Sequence, residues 1–421
     1  MSSPMSRSDP HSATPFTAAP ACPARDADRR ARTAALACMI GLAVALGVGR
    51  FAFTPLLPLM LADGSIGLKA GSWLASANYA GYFVGAVSCA ALRVAPARMV
   101  RFGLAATVLL TAAMGVGHLL PVWLAVRFIA GVVSAWTFVF VSQWGLRRLA
   151  ELHAPEWSGV IYTGPGVGIV LTGLIGSALA SHRAAPGWLG FAALSAVLSV
   201  AIWRTFAVTS TAVGPSHGTA PQAAAVVPPA AVRGRRADAA WLVVLYGAPG
   251  FGYIITATFL PVIARAALPA GSPWPDLFWP MFGAALIIGA LSAARLPAHW
   301  DNRLLLALGC ATQAVGIAAG IVWPNAAGFA LGSVLLGLPF TAITLFAMRE
   351  ARRLHGERAA GLMGYATASY GVGQILGPLV AAPLVARYGS FTPVLWLAAV
   401  ALLVGAAGFA AIAVGRRHRI G

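Results

Sequence analysis

Gly47-Val48-Gly49-Arg50-Phe51-Ala52-Phe53-Thr54-Pro55-Leu56-Leu57-Pro58 and Gly250-Phe251-Gly252-Tyr253-Ile254-Ile255-Thr256-Ala257-Thr258-Phe259-Leu260-Pro261 lie 203 residues apart and share their glycines and their Leu-Pro ends. Both sit inside long apolar runs, and only the first carries a charge, at Arg50. The correspondence continues down the chain. Gly85, Ala86 and Ser88 match Gly289, Ala290 and Ser292 at an offset of 204. Arg147-Arg148-Leu149, Gly159 and Gly166-Val167-Gly168 match Arg352-Arg353-Leu354, Gly364 and Gly371-Val372-Gly373 at 205. Self-similarity over that length marks a duplicated architecture, because small loop insertions account for so slight a drift.

Composition names the solvent of that architecture. With 59% hydrophobic residues, 10% charged residues and a mean hydropathy of +0.79, the chain is too apolar for a soluble protein of 421 residues. A membrane-crossing helix needs about 20 mainly apolar residues to span roughly 30 Å of hydrocarbon. Twelve such runs are predicted, starting near Thr33, Ala70, Phe102, Val122, Trp157, Trp188, Ala239, Leu277, Leu304, Ala326, Gly361 and Phe391. The expected fold is therefore an all-α membrane protein of two pseudo-symmetric six-helix bundles. Six is even, so both copies enter the membrane in the same direction, with a site expected near the midplane between them.

The net charge of +18 reads as topology and not as nucleic-acid binding. Of the 29 Lys and Arg, all but six fall in the tails and the connections on the side of the termini. Lys69, Arg183, Arg265 and Arg387 are on the other side, and Arg50 and Arg127 are within spans. This bias predicts that both termini are cytoplasmic, and the expected location is the bacterial inner membrane. Residues 1–32 read as a disordered cytoplasmic tail, 33–204 as the first bundle, 205–237 as a flexible cytoplasmic linker, 238–414 as the second bundle and 415–421 as a short tail. A cleavable signal peptide is not expected, because the first apolar run is about twice the usual length of its core.

Twelve spans as six plus six, a basic central loop and Arg127-Phe128-Ile129-Ala130-Gly131 in the fourth span resemble the major facilitator superfamily. The fifth span, with Gly164-Pro165-Gly166 and Gly168, looks like a loose form of that superfamily's antiporter signature. More specifically, Gly49 to Met60, Ala77-Asn78-Tyr79-Ala80-Gly81-Tyr82 and Gly252-Tyr253 followed by Ala257-Thr258-Phe259-Leu260-Pro261 resemble its YbfB/YjiJ-type branch. The resemblance covers nearly everything between the tails and implies transport. One departure stands out: the loop from Arg93 to Arg101 lacks the acidic, Gly-rich pattern many members carry there.

Arg50 lies about 17 residues into a helix rising 1.5 Å per residue, some 25 Å from the inner end and beyond snorkelling reach. A cation at that depth costs about 2.5–3.5 kcal/mol on insertion scales, so it faces the bundle interior. It either contacts substrate or braces two helices through their carbonyls. The eleven carboxylates all fall in tails, in loops or at span ends, which leaves the midplane positive and points to a small organic anion as cargo.

Asn78 and Tyr82, four apart on one face of the second span, are expected to orient that cargo together with Tyr253 and Gln374. Asn78 reads equally as polar glue between helices. Tyr79, Thr256 and Tyr370 are weaker polar candidates. Arg127, a few residues into the fourth span from the outer side, is assigned to gating or structure, by snorkelling or by pairing with Asp63 or Asp276. His118 at the outer end of the third span reads as merely solvated or as a coupling group. Gly49, Gly252, Pro58 and Pro261 are expected hinges, and Gly166 and Gly371 are expected to allow close approach between the halves, though plain packing explains these last glycines equally well.

The expected activity is secondary active transport of small solutes by alternating access, with a proton or counter-ion as coupling candidate. Proton-driven export of drugs or metabolites and a transport-inactive membrane sensor are the alternatives. No enzyme is expected and no cofactor or metal: Gly214-Pro215-Ser216-His217-Gly218 matches G-x-S-x-G formally, but it falls in the linker, where no strand or strained turn can form. Neither a P-loop nor H-E-x-x-H occurs, and the four cysteines have no metal-ligand or disulfide spacing.

Overall fold

In hydrocarbon a backbone can satisfy its polar groups only within its own helix, so a chain this apolar is expected to be helical throughout. The computed structural model describes residues 23–179, 183–207, 229–297, 299–356 and 359–420, and all regular structure among them is helical. Twelve passages follow in order: α1 Asp26–Ala62, α2 Leu68–Ser88, α3 Pro96–Val116, α4 Leu120–Glu151, α5 Pro155–Ala178, α6 Ala184–Ile202, α7 Pro229–Ala267, α8 Trp274–Arg295, α9 Asn302–Val322, α10 Ala326–His355, α11 Ala359–Tyr388 and α12 Thr392–Ile420. By length and hydropathy eleven of these qualify as membrane-crossing. The other, α2, is diluted by Lys69, Ser72, Ser76, Asn78, Tyr79 and Tyr82.

Start signals in the sequence explain several of the boundaries. Asp301 caps α9 by accepting from the Arg303 amide at 2.9 Å, and Asn325 caps α10 by accepting from the Gly328 amide at 2.9 Å. Pro96 and Pro275 sit in the first turns of α3 and α8, where a missing N–H costs nothing. Three boundaries differ from the expected ones. Helix begins at Pro23 and at Pro229, so the ends of the expected tail and linker are helical. Both stretches are rich in Ala and Arg, strong helix formers, and Asp26 complements the dipole in the first turn of the former. The last residues are helical too, since α12 runs to Ile420. Residues 1–22 of the tail and 208–228 of the linker, including the Gly214–Gly218 match, lie outside the described residues.

The duplication is visible in how the helices pair. In the first half α1 packs on α5, α2 on α4 and α3 on α6. In the second, α7 packs on α11, α8 on α10 and α9 on α12. The matched Gly85 and Gly289 explain themselves at these crossings, because a Cβ there would run into the Val132 or the Leu338 carbonyl. Outward faces are apolar, with Val87, Leu109, Val200 and Leu308 exposed, whereas Asn78, Arg127, Thr137 and Gln374 are buried. This is the inside-out polarity of a bundle surrounded by lipid.

The halves meet along α2 with α11, along α5 with α8, and between the second part of α1 and α7. The Thr54 hydroxyl donates to the Ala257 carbonyl at 3.0 Å. These residues are 203 apart, so they are repeat partners of one another, and the pseudo-two-fold axis passes between them.

Candidate functional site

Helix α1 is not continuous. It runs as an α-helix to Leu42, widens through Ala43–Val48, turns at Gly49–Ala52 and resumes at Phe53. In the wide turn the Gly49 and Phe51 amides donate five residues back, to Val44 and Leu46, each at 3.0 Å. Two sequence features produce it. A Cβ at Gly47 would collide with the Gly168 backbone of α5, so the missing side chain lets α1 press onto α5 there. Pro55 has no N–H for the Phe51 carbonyl, which accepts instead from Thr54 at 3.2 Å.

A widened, broken helix leaves carbonyls without helical partners, and α4 supplies them. The Ser134 hydroxyl donates to Ala45 at 2.8 Å. Arg127 donates from Nη1 to Gly49 at 3.4 Å and from Nη2 to Arg50 at 3.2 Å, with its guanidinium 4.9 Å from the Phe53 ring centroid. Arg127 is 2% exposed, so it turns into the bundle instead of snorkelling. Neither expected carboxylate partner reaches it. Asp276 pairs with Arg265, and Asp63 accepts from Ser65 and from the Ala184 amide at 3.1 Å. Burial pushes the Asp63 carboxyl up, but the bonds from Ser65 and Ala184 outweigh it and hold the group below the usual carboxylate range.

Arg50 itself is 6% exposed and points across the molecular axis. Its Nη2 donates to Oε1 of Gln374 on α11 at 2.7 Å, and the Gln374 amide donates to the Tyr253 hydroxyl on α7. The repeat partners Arg50 and Tyr253 are thus bridged by one neutral side chain. Rings of Tyr82, Tyr79 and Phe51 surround the guanidinium at 4.2, 5.2 and 5.2 Å. Its Nε is buried without a partner, and none of the ion pairs among the described residues involves Arg50.

Of the residues expected to surround the cargo, Arg50, Tyr82, Tyr253 and Gln374 come together. Asn78 does not join them. Although it shares a helix with Tyr82, its Nδ2 donates to the Arg127 carbonyl at 2.9 Å, tying α2 to α4, and its Oδ1 is buried and unpartnered. Thr256 faces the interior of the second bundle, beside Gly316, Gly332 and Leu395, and His118 is exposed. Gly166 lies against Gly283 and Ile287 of α8, and Gly371 against Phe83 of α2, both on seams between the halves. Gly49 sits in the α1 turn beside Ser134, and Gly252 packs within the second half on Leu402. Pro58 and Pro261 fall inside helical segments beyond Arg50 and Tyr253.

Sequence reasoning missed three things here. The Tyr79 hydroxyl bonds Thr258 at 2.9 Å and the Ser76 hydroxyl donates to the Ile375 carbonyl at 2.9 Å, so with Thr54 and Arg50 four hydrogen bonds cross between the halves among the described residues. All four lie level with Arg50 or on the side away from the termini. Phe340 and Tyr370 join the site through Tyr253, at ring distances of 4.9 and 5.9 Å. Tyr370 is among the weaker polar candidates of the sequence, whereas Phe340 has no signal beyond its aromatic character. The third is a charge cluster at the terminal end of the second half. Arg303 pairs with Glu350 at 2.7 Å and with Asp238 at 2.9 Å, and Arg353 lies 3.6 Å from Glu350. The matching end of the first half has no such pairing among the described residues, as the sequence between Arg93 and Arg101 foretells. Nor do the described residues contain a His, Cys, Asp or Glu group able to hold a metal.

A profile of the family described as "Uncharacterised MFS-type transporter YbfB" matches residues 42–409. No curated protein sequence matches the chain. Two solved structures of the nucleoside transporter NupG share its fold. The unmodified protein superposes with a TM-score of 0.67 at 13% identity, over 91% of this chain and 98% of its own. A single-site variant gives 0.66 at 15%, over 90% and 99%.

Proposed function

Because the chain belongs to the family of MFS-type transporters described from YbfB, we propose that it carries a small organic anion by alternating access around Arg50. Family membership makes it a multi-pass membrane transport protein and not an enzyme. The substrate reading rests on one observation: a permanent cation, 6% exposed, whose side-chain hydrogen-bond partner is the neutral Oε1 of Gln374. Arg50 Nη2 is occupied by that oxygen while Nε, on the same edge of the guanidinium, has no partner. A carboxylate binds such an edge through both oxygens, replacing one bond to a neutral acceptor by two to an anionic one.

The same substitution couples binding to motion. Gln374 belongs to the second half and Arg50 to the first, so a carboxylate that takes the Arg50 edge removes one of the hydrogen bonds that tie the halves together. Positive charge in the connections favours cytoplasmic termini. The bonded side is then the outer one, and the present arrangement is closed to the outside. Differential affinity of the anion for the two arrangements shifts their populations. Exchange against a second anion is the simplest coupling, since both compete for one guanidinium.

Purified protein melted in the presence of a panel of small carboxylates and matched amines tests the reading. Carboxylates are expected to raise the melting temperature of wild type and leave Arg50→Ala unmoved. Equal stabilisation of both proteins, or stabilisation by amines alone, would overturn it.

A further inference from the structure

Rings from both halves surround Arg50: Phe51, Tyr79 and Tyr82 of the first half stand 5.2, 5.2 and 4.2 Å from its guanidinium, and the second half adds rings that its own repeat partners lack. Tyr246, Tyr253, Trp279, Phe282 and Tyr370 of the second half stand, at offsets of 203 to 205, where the first half has Ala43, Arg50, Ala75, Asn78 and Pro165. Charge is on one side of the axis and aromatic surface on both.

The rings form one continuous set. Tyr246 stacks on Tyr370 at 4.9 Å, Tyr370 on Tyr253 at 5.9 Å, and Phe340 meets Tyr253 edge-on at 4.9 Å. Phe340 also touches Phe51, the neighbour of the guanidinium, at 6.4 Å. Tyr253 is fully buried, but Tyr82, Phe340 and Tyr370 are only partly covered. All three lie level with Arg50 or on the terminal side of it, opposite the hydrogen-bonded end. They are the rings a solute would pass to reach the guanidinium from that side.

From this we infer that the cargo is an aromatic carboxylate, a flat ring carrying its anion within a few bonds; the inference rests on the anion reading above. The carboxylate takes the Nε and Nη2 edge of Arg50. The ring slides between Tyr82 on the first half and the Tyr253, Tyr370 and Phe340 surface on the second. It exchanges ring–ring contacts for ring–ligand contacts of the same offset or edge-on kind. A compact aliphatic anion would satisfy Arg50 but leave those contacts unreplaced, and a neutral aromatic would leave Nε unsatisfied. Cargo of this shape also touches both halves at once, which is what a solute must do to alter their preferred arrangement.

The test is equilibrium binding to the full chain in lipid nanodiscs, with benzoate and phenylacetate against cyclohexanecarboxylate and hexanoate, and with benzyl alcohol as the uncharged ring. Benzoate and phenylacetate are expected to bind about three- to tenfold tighter than the saturated acids, the range aromatic pairing supports beyond area. Tyr370→Leu and Phe340→Leu should each shrink that ratio towards one without abolishing binding of hexanoate. Arg50→Ala should abolish binding of all four acids. Arg50→Lys keeps the charge as a folding control and should weaken them all. Equal affinity of ring and saturated acids in wild type, with binding still dependent on Arg50, would overturn the aromatic inference and leave the anion reading standing. Binding of none of the acids, or binding indifferent to Arg50, would overturn both. Benzyl alcohol binding as well as benzoate would remove the role of charge and sink the anion reading.

Discussion

Gln374→Glu places a carboxylate oxygen where the amide oxygen now accepts from Arg50 at 2.7 Å, with almost no change in volume. Tyr253 is not orphaned, because its hydroxyl can donate to the new carboxylate in place of accepting from the amide. Two unit charges about 4 Å apart interact by about 4 kcal/mol at an effective dielectric of 20. The neutral bond already present to a charged donor is worth about 1.5–3 kcal/mol, so the resident carboxylate gains roughly 1–2.5 kcal/mol over the amide. A soluble anion must overcome that gain. Since each 1.4 kcal/mol is tenfold, its affinity should fall by about five- to sixtyfold. The variant should also melt higher than wild type, because the new ion pair ties α1 to α11. Titration calorimetry on purified protein reads the first effect, a thermal melt the second, and counterflow in proteoliposomes the accompanying loss of exchange. Unchanged anion affinity in a folded Gln374→Glu protein would refute the argument that cargo and Gln374 compete for one edge of Arg50.

Two further outcomes follow from neighbouring contacts. Arg127→Met removes the donors on the Gly49 and Arg50 carbonyls while keeping most of the side-chain volume. Leaving buried acceptors unmet costs about 1–3 kcal/mol each, so its melting temperature should drop by several degrees and its anion affinity should fall as Arg50 loses its register. Restoration of both by Arg127→Lys would contradict this, since one ammonium cannot serve two carbonyls as the guanidinium does. Gly371→Leu fills the seam against Phe83, where even a Cβ stands 3.0 Å from the ring. Flux in proteoliposomes should fall by more than tenfold while equilibrium anion binding changes by less than threefold. An equal loss of both would mean that the seam shapes the site and not its motion.

Much of the fold was legible because duplication and hydrocarbon leave period and composition as their trace. Gly47 with Gly250 and Gly85 with Gly289 fall at helix crossings because only a missing Cβ admits the neighbouring backbone. The depth of Arg50 in its span, and the lack of any carboxylate at that level, were countable in one dimension. What one dimension does not carry is rotation about each helix axis. Asn78 and Tyr82 share a helical face by spacing, yet that face is broad enough for one to meet α4 and the other Arg50. Arg127 looked near enough to the surface to escape, but orphaned carbonyls in α1 draw it inward. Gly47, Gly49 and Pro55 announce a break there without saying which acceptors it frees. The tie between Arg50 and Gln374 joins residues 324 apart in different halves, beyond any local pattern.

The ionic knot of Asp238, Arg303, Glu350 and Arg353 lashes three helices of one half at a single end. Breaking such a buried pair costs about 3–5 kcal/mol, so that end should move as a block. Among the described residues no ion pair joins α1, α3 and α4 at the matching end, where Glu151 pairs only within α4 and Cys38 donates weakly to the Val141 carbonyl, so that end can flex within itself. Two copies of one ancestral unit have thereby become a rigid anvil and a pliant hammer. Slow amide exchange at the start of α9 beside faster exchange at the start of α3 would be the signature of that division of labour.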